Sequence, residues 1–399
     1  MKKSILIVSH ALELGGAERS LIGLLDALDP EVWDIDLFLL RHEGELMSEI
    51  PEYVNLLPVI PSYTALARPM KDTLKEGHLL LTCARVAGKL AAKRYMKRHD
   101  HKDSMVPLEY SHKYTCPLMP KIHPEKKYDL AVSFLTPHYF VAKKVSAKKK
   151  IAWIHTDYNR VQVNLDSETA MWNAYDCIVS ISEAVTDGFV QVFPELKDKI
   201  LVIENILPEK LIRRQAAEPC QDMVRQGEEK ILLSIGRFCH AKNFDQVPAV
   251  CSQIVKAGLN IRWYLIGFGS DERLIRQRIA ETGMEDHVII LGKKTNPYPY
   301  IAACDLYIQP SRYEGNCVCV HEAQMLGKPV VITWYATSAS QLEEGVDGVI
   351  VPMDNEGCAE GIRKFLLDSE KMERISSACR MRDYSNSAEA RKLNDLIGW

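Results

Sequence analysis

The sequence is punctuated by short runs of apolar residues, four to six long, that alternate with longer helical or irregular stretches. A first series comprises residues 5–8, 35–40, 130–134, 151–154 and 177–181, and a second comprises 231–235, 263–266, 288–291, 306–309 and 330–333. A run that short and that largely apolar reads as a strand buried on both faces. Helical segments between such strands call up a parallel sheet covered on each side. Two series predict two such sheets, and 399 residues suit two cores better than one overgrown core. The break is placed near residues 205–208, giving an α/β chain with one Rossmann-like domain over 1–205 and another over 206–385. The charge-rich stretch 208–229 reads as a linker and surface segment.

Composition narrows the class further. With 47% hydrophobic and 26% charged residues, neither disorder nor a fibrous architecture is favoured. The apolar run near the start is too short for a secretory signal or a membrane span, and no other stretch approaches spanning length. Eleven cysteines are scattered, and the nearest pair, Cys317 and Cys319, lacks partners at zinc-site spacing. A reducing cytoplasm is the expected setting. Net charge is only -3, yet residues 71–150 hold 18 Lys/Arg against seven Asp/Glu. Within them Arg85, Lys89, Lys93 and Lys97 recur every four residues, joined by Arg94 and Arg98, while Leu79, Leu80, Val86, Ala87 and Leu90 supply an apolar side. That is a basic amphipathic helix. With Lys143, Lys144 and the lysines at 148–150, it predicts that the basic segment 85–102 rests on an anionic membrane surface; the plainer alternative is a solvated face. No nucleic-acid motif or interleaved aromatics accompany the patch, so a nucleic-acid partner is not expected.

Candidate chemistry lies at the strand ends. Gly15-Gly16 forms a turn between the first strand and a helix with Leu21, Leu24, Leu25 and Leu28 on its apolar face, the opening of a Rossmann-like unit. Arg237 follows a strand of the second series, and Lys242 lies five residues later at the expected start of a helix. Open parallel sheets bind ligands at their carboxyl edge, so both cations suit a diphosphate; the alternative is solvated surface charge. Glu314 and Glu322 bracket seven residues across a loop-to-helix junction, with free amides near Cys317 to Cys319 expected to point toward an anion. Such a pair of carboxylates suits a sugar and a ribose. Thr337 and Ser340 offer hydroxyls as helix caps or as a second anion site. Asp34-Ile35-Asp36 matches a two-aspartate metal pattern but lies in an alternating strand, and the strand reading is preferred.

Taken together, Gly15-Gly16-Ala17-Glu18-Arg19, Gly236-Arg237-Phe238 with Lys242-Asn243, Gly267-Phe268-Gly269, and the segment from Glu314 to Glu322 closed by Gly327-Lys328-Pro329 resemble the retaining GT-B nucleotide-sugar glycosyltransferases. That family includes many bacterial capsule, exopolysaccharide and lipopolysaccharide enzymes, and the resemblance spans nearly the whole chain. It implies two Rossmann-like domains facing across a cleft, the first for the acceptor and the second for the donor, with a terminal helix at about 386–399 packing back on the first. It implies a hexosyltransferase that takes hexose or N-acetylhexosamine from a UDP-sugar and transfers it with retention to a saccharide or lipid-linked saccharide in surface polysaccharide biosynthesis. No cofactor and no divalent metal are implied; the cysteines and the basic segment, read separately, give the expected setting as cytoplasmic, peripheral on the inner face of the membrane. By the same resemblance Arg237 and Lys242 neutralise the donor diphosphate, Glu314 contacts the donor sugar, Glu322 holds the ribose hydroxyls and His155 lies beside the sugar. Gly16 brings backbone to the donor phosphates, and Gly292, Asn316, Cys317 and Val318 complete the donor-binding set. Asn316-Cys317 departs from the family pattern in the loop that faces the sugar. An epimerase on the same fold and a non-catalytic partner subunit are the rival readings. The two-glutamate segment favours transfer, and the presence of Arg237, Lys242, Glu314 and Glu322 weighs against the partner subunit.

Overall fold

The apolar runs pair as strands of two separate sheets. A computed structural model describes the chain except for Met1, Leu14, Ala67, Lys102, Asp103, Asp157, Gln221, Gly315, Asn316, Trp399 and the side chain of Arg160. In the first sheet β1 (Lys3–Ser9), β2 (Trp33–Leu39), β3 (Asn55–Leu56), β4 (Tyr128–Ser133), β5 (Ala147–Ile154), β6 (Cys177–Ser180) and β7 (Ile200–Val202) lie in the order β3-β2-β1-β4-β5-β6-β7. In the second, β8 (Lys230–Ile235), β9 (Ile261–Ile266), β10 (Val288–Gly292), β11 (Leu306–Gln309), β12 (Val330–Thr333) and β13 (Val349–Val351) lie in the order β10-β9-β8-β11-β12-β13. All the strand pairings are parallel. Each order reverses beside the sheet's first strand, between β1 and β4 and between β8 and β11. Crevices outside the carboxyl ends form at such reversals.

The chain divides into two compact units, Met1–Ile206 with Asn386–Trp399, and Leu207–Ser385. The core strands are apolar because helices cover both faces: Ile5, Leu6 and Ile7 of β1 are fully buried, as are Leu232, Leu233 and Leu265 of β8 and β9. The terminal segment is held in the first unit by Trp33 Nε1, which donates to Asn394 Oδ1 at 3.0 Å, by Lys392 Nζ, which donates to the Val202 carbonyl at 3.0 Å, and by the fully buried Leu393.

Several local expectations need correcting. Residues 208–229 are not a linker. The Glu209–Ala216 helix buries Leu211 and Ile212, and Met223 joins the second core. Asn296 Nδ2 donates to the Gln215 carbonyl at 3.0 Å, and the Tyr300 hydroxyl donates to Asp222. Only a narrow stripe of this stretch faces the core, so its average composition is that of its wet side. The strands β3, β7 and β13 lie at sheet edges and span two or three residues, too few to stand out as runs. Asp34 and Asp36 do lie in a strand, β2, and share Lys126, whose ammonium donates to them at 2.7 and 2.9 Å. Burial opposes ionisation of Asp36, but donors from Tyr128, Asn55 and Lys126 outweigh it and hold its pKa below the usual range.

The basic helix spans Leu79–His99. Arg85 does not belong to its free basic face. Its guanidinium donates to the carbonyls of Ala65 at 2.6 Å, Arg68 at 2.9 Å and Leu66 at 3.2 Å and to Thr73 Oγ1 at 2.9 Å, tying the helix to the turns before it. Lys144 and Lys150 are likewise engaged, donating to the Pro117 and Ala142 carbonyls, and Lys148 pairs with Asp129 at 2.6 Å. Among the described residues no helix is long and apolar enough to cross a membrane.

Candidate active site

The second unit gathers most of the candidate residues at the carboxyl edge of its sheet. Three glycines let the loops after β8, β9 and β10 approach closely. Gly236 N–H donates to the Ile266 carbonyl and Gly267 N–H to the Gly292 carbonyl, both at 3.0 Å, and Phe238 N–H donates to the Phe268 carbonyl at 2.9 Å. Gly267 adopts φ +151° and Gly269 φ +159°, and a Cβ on either would lie 1.9 or 2.2 Å from a backbone carbonyl oxygen of the β8 loop. No other residue type suits these places. The Lys242 stem lies over Gly236, where an added Cβ would come within 3.3 Å of its Cδ and Cε.

Arg237 is exposed just beyond β8, and its guanidinium makes no ion pair or hydrogen bond among the described residues. Lys242 does not begin a helix as expected. It ends a 3₁₀ turn, His240–Lys242, capped by Asn243 at φ +60°, and the next α-helix begins at Val247. Its ammonium reaches Glu314 Oε1 at 2.5 Å, with 20% of the lysine and 11% of the glutamate side chain exposed. Burial disfavours the Lys242 cation, but the neighbouring Cys317 and Glu314 side chains outweigh burial and raise its pKa. Among the described residues Lys242 is therefore paired and Arg237 is not.

Glu314 is positioned by neighbours that sequence reading overlooked. Ser311 Oγ donates to Glu314 Oε1 at 2.5 Å, Gln309 Nε2 does so at 3.5 Å, and Thr337 Oγ1 donates to the Glu314 carbonyl at 2.8 Å. Arg312 fastens the two loops together. It donates bidentately to Asp245 at 2.9 Å and, through Nη1, to the His240 carbonyl at 2.6 Å, while its own N–H reaches the Ala241 carbonyl at 2.8 Å. Gln309 and Ser311, two apart at the end of β11, lie on one side of the chain. That spacing was the available signal; the Arg312 clamp spans 67 residues and left none.

The Cys317 amide is not free for an anion. It donates to Gln341 Oε1 at 2.6 Å, and Gln341 Nε2 donates back to the Cys317 carbonyl at 3.3 Å, so a side chain from another turn caps the Val318–Met325 helix. The Thr337 hydroxyl is committed to Glu314 and caps nothing, and Ser340 Oγ donates to the Thr337 carbonyl. Val318 is the first residue of that helix, and Asn316 lies outside the described residues. Glu322 stands in the second turn, 1% exposed, and accepts from the Tyr298 hydroxyl at 2.8 Å. Gly292 closes β10 at φ +72°, and nothing lies within 4 Å of a Cβ built there.

Gly16 and His155 belong to the first unit. Gly16 is the first residue of the Gly16–Ala27 helix, and a Cβ built on it meets nothing within 4 Å. The fold itself does not require glycine there. His155 follows β5 and lies 4.7 Å from the Phe134 ring. Burial lowers its pKa to about 3, and its Nε2 is buried without a partner. His155 is thus a neutral imidazole near neutral pH.

Residues 221–382 match the family model described as glycosyl transferases group 1. The chain is 24% identical over 242 residues to the N-acetylgalactosamine-N,N'-diacetylbacillosaminyl-diphospho-undecaprenol 4-alpha-N-acetylgalactosaminyltransferase of Campylobacter jejuni, covering 60% of this chain and 62% of that protein. It is 26% identical to the lipopolysaccharide core biosynthesis glycosyltransferase LpsE of Rhizobium meliloti, covering 50% of this chain and 57% of that one. The chain thus spans less than two thirds of the length of these curated relatives. Among solved structures, Anabaena Alr3699/HepE in complex with UDP-glucose superposes with a TM-score of 0.65 at 17% identity, over 99% of each chain. S. aureus TarM, in a complex containing UDP, gives 0.64 at 14% identity over 100% of each. Residues 221–382, within the second unit, are thus similar to the group 1 glycosyl transferases, and the chain shares the two-unit GT-B fold of the solved structures.

Proposed function

We propose that this protein is a retaining glycosyltransferase that moves a hexose or N-acetylhexosamine from a UDP-sugar to a saccharide or lipid-linked saccharide in surface polysaccharide biosynthesis. The observation that carries this reading is the Lys242–Glu314 pair at the carboxyl edge of the second sheet, with the exposed Arg237 just beyond β8 of the same sheet. Cleaving a sugar–phosphate bond builds negative charge on the departing diphosphate, and fixed cations aimed at it lower the barrier most. In this reading Arg237 and Lys242 supply that charge with no divalent metal, and Glu314, oriented by Lys242 and Ser311, meets the donor sugar. Glu322 takes the ribose hydroxyls, Gly292, Cys317 and Val318 line the donor, and the roles read for Gly16 and His155 are toward the donor phosphates and the sugar. Departure and attack occur on one face, and the leaving phosphate takes the proton of the acceptor hydroxyl. The UDP-glucose named for the Anabaena structure supports the donor class, and the diphospho-undecaprenol in the name of the Campylobacter relative supports a lipid-linked acceptor.

Thermal denaturation with UDP, GDP and ADP tests the donor. UDP at about a hundred times its Kd is expected to stabilise the protein by about 2.7 kcal/mol, with GDP and ADP weaker and the effect lost in Glu322→Gln. No response to any nucleotide would overturn the proposal, and a selective response to GDP or ADP would replace the donor.

Gly16→Ala isolates the backbone approach. The added methyl meets open space, so stability should change by no more than about 0.5 kcal/mol, while affinity for UDP-sugar, measured by titration calorimetry, is expected to fall about tenfold, or about 1.4 kcal/mol. Unchanged affinity would remove Gly16 from the site.

A further inference from the structure

The Leu79–His99 helix contains no acidic residue in 21 positions, and its two sides differ sharply. Leu81, Gly88 and Ala92 are buried. Leu79, Leu80, Val86 and Leu90 are 60%, 72%, 41% and 53% exposed. Positions 79, 80, 83, 86, 87 and 90 recur at steps of one, three and four, so they form one stripe, and all are exposed. Followed toward the C-terminus, the same stripe becomes Lys93, Arg94, Lys97 and Arg98, again all exposed. Leu74, 49% exposed between exposed Lys71 and Lys75, precedes it on the Met70–Lys75 helix.

A row of large aliphatic side chains left in water marks a surface that meets a partner, and the cations that continue the row restrict which one. Nucleic acid would satisfy the cations and leave the leucines wet. A purely apolar protein groove would strand the cations. An anionic bilayer surface satisfies both, with leucines at the acyl boundary and ammonium and guanidinium groups among the phosphates. We propose that the Leu79–Arg98 stripe is a monotopic anchor that seats the first unit on an anionic lipid surface. The anchor deepens the proposed function, resting on the lipid-linked acceptor for its purpose, although its binding can be measured without nucleotide or acceptor.

The test is sedimentation of the full chain with phosphatidylcholine vesicles, with or without phosphatidylglycerol, at low and high salt. Binding is expected only to the anionic vesicles and to weaken with salt. The Leu79→Ser, Leu80→Ser, Leu90→Ser triple variant should bind at least about tenfold more weakly at either salt concentration. The Lys93→Glu, Lys97→Glu variant should lose roughly fivefold per cation at low salt. All five positions are exposed, so folding is retained. UDP stabilisation of each variant checks this and separates failure of the anchor from failure of the donor-site reading. Absence of binding to anionic vesicles at low salt would overturn the anchor. Binding that the serine variant leaves unchanged would overturn it in favour of a polyanion surface. A serine variant that binds vesicles normally but dissociates an oligomer in solution would assign the stripe to a second copy of the chain.

Discussion

Arg237→Ala is expected to lower the rate of UDP release from UDP-sugar in the presence of acceptor by about 10²–10³-fold, with little change in thermal stability. The two readouts separate because Arg237 is exposed and pairs with nothing among the described residues, so its removal costs the fold no more than an ordinary surface change of about 0.5 kcal/mol. Lys242→Met should be as damaging to turnover but also destabilising, by about 1–3 kcal/mol, because it strips Glu314 of its ammonium in a poorly solvated loop. Ser311 and Gln309 still donate to that carboxylate, which keeps the loss below that of a bare buried charge. Adding Glu314→Gln to Lys242→Met should recover stability without recovering turnover. Near-normal turnover in Arg237→Ala would contradict the diphosphate role directly.

Acid should unfold the first unit well before ordinary carboxylate titration would. Four imidazoles there are held neutral by burial: His10 falls to about 4 and His155 to about 3, and His112 and His138 lie well below the usual value. Their folded pKa values are depressed. Below pH 6.5 the unfolded chain therefore takes up protons that the folded unit refuses; stability is complete above pH 6.5 and falls as pH drops toward 4. A displacement like that of His10 is worth roughly 3 kcal/mol, reduced where His10 and His155 keep some solvent contact. Two buried carboxylates act in the opposite direction. Burial raises Glu168 to about 7, so its contribution is present below pH 4.5 and lost as pH rises through 7; burial raises Glu109 in the same direction, and both offset part of the histidine slope. Denaturant midpoints across pH 4–8 should still fall on the acid side. His112→Leu removes a buried Nδ1 without a partner and should flatten the slope by about one proton. A stability constant from pH 4.5 to 7 would contradict this account.

These predictions draw on different levels of information. The alternation of apolar runs with helical stretches was enough to read two parallel sheets, because a strand covered on both faces must be apolar throughout and short. The same logic failed for β3, β7 and β13, which lie at edges, and for the Glu209–Ala216 helix, which buries only Leu211 and Ile212. The strand-end cations and the two glutamates were visible as residue types at telling places. Their surroundings were not: Gln341 capping Cys317, Thr337 holding the Glu314 carbonyl and Arg312 clamping Asp245 link positions 24, 23 and 67 residues apart, and no local pattern records such pairings.

The basic helix shows the same division in one element. Charge and spacing identified it, yet treated Arg85 and Lys93 as equivalents. Arg85 folds back onto carbonyls that an earlier helix end leaves unsatisfied, whereas Lys93 stays exposed beside the leucine stripe. By itself, then, the sequence determined the two sheets, the glycine-lined strand ends and the charges placed there, because periodicity and residue type act locally. Only the tertiary structure decided which of those charges are paired, which amides are already used and which apolar side chains face water. Those outcomes depend on groups distant in the chain competing for the same donors, acceptors and buried space.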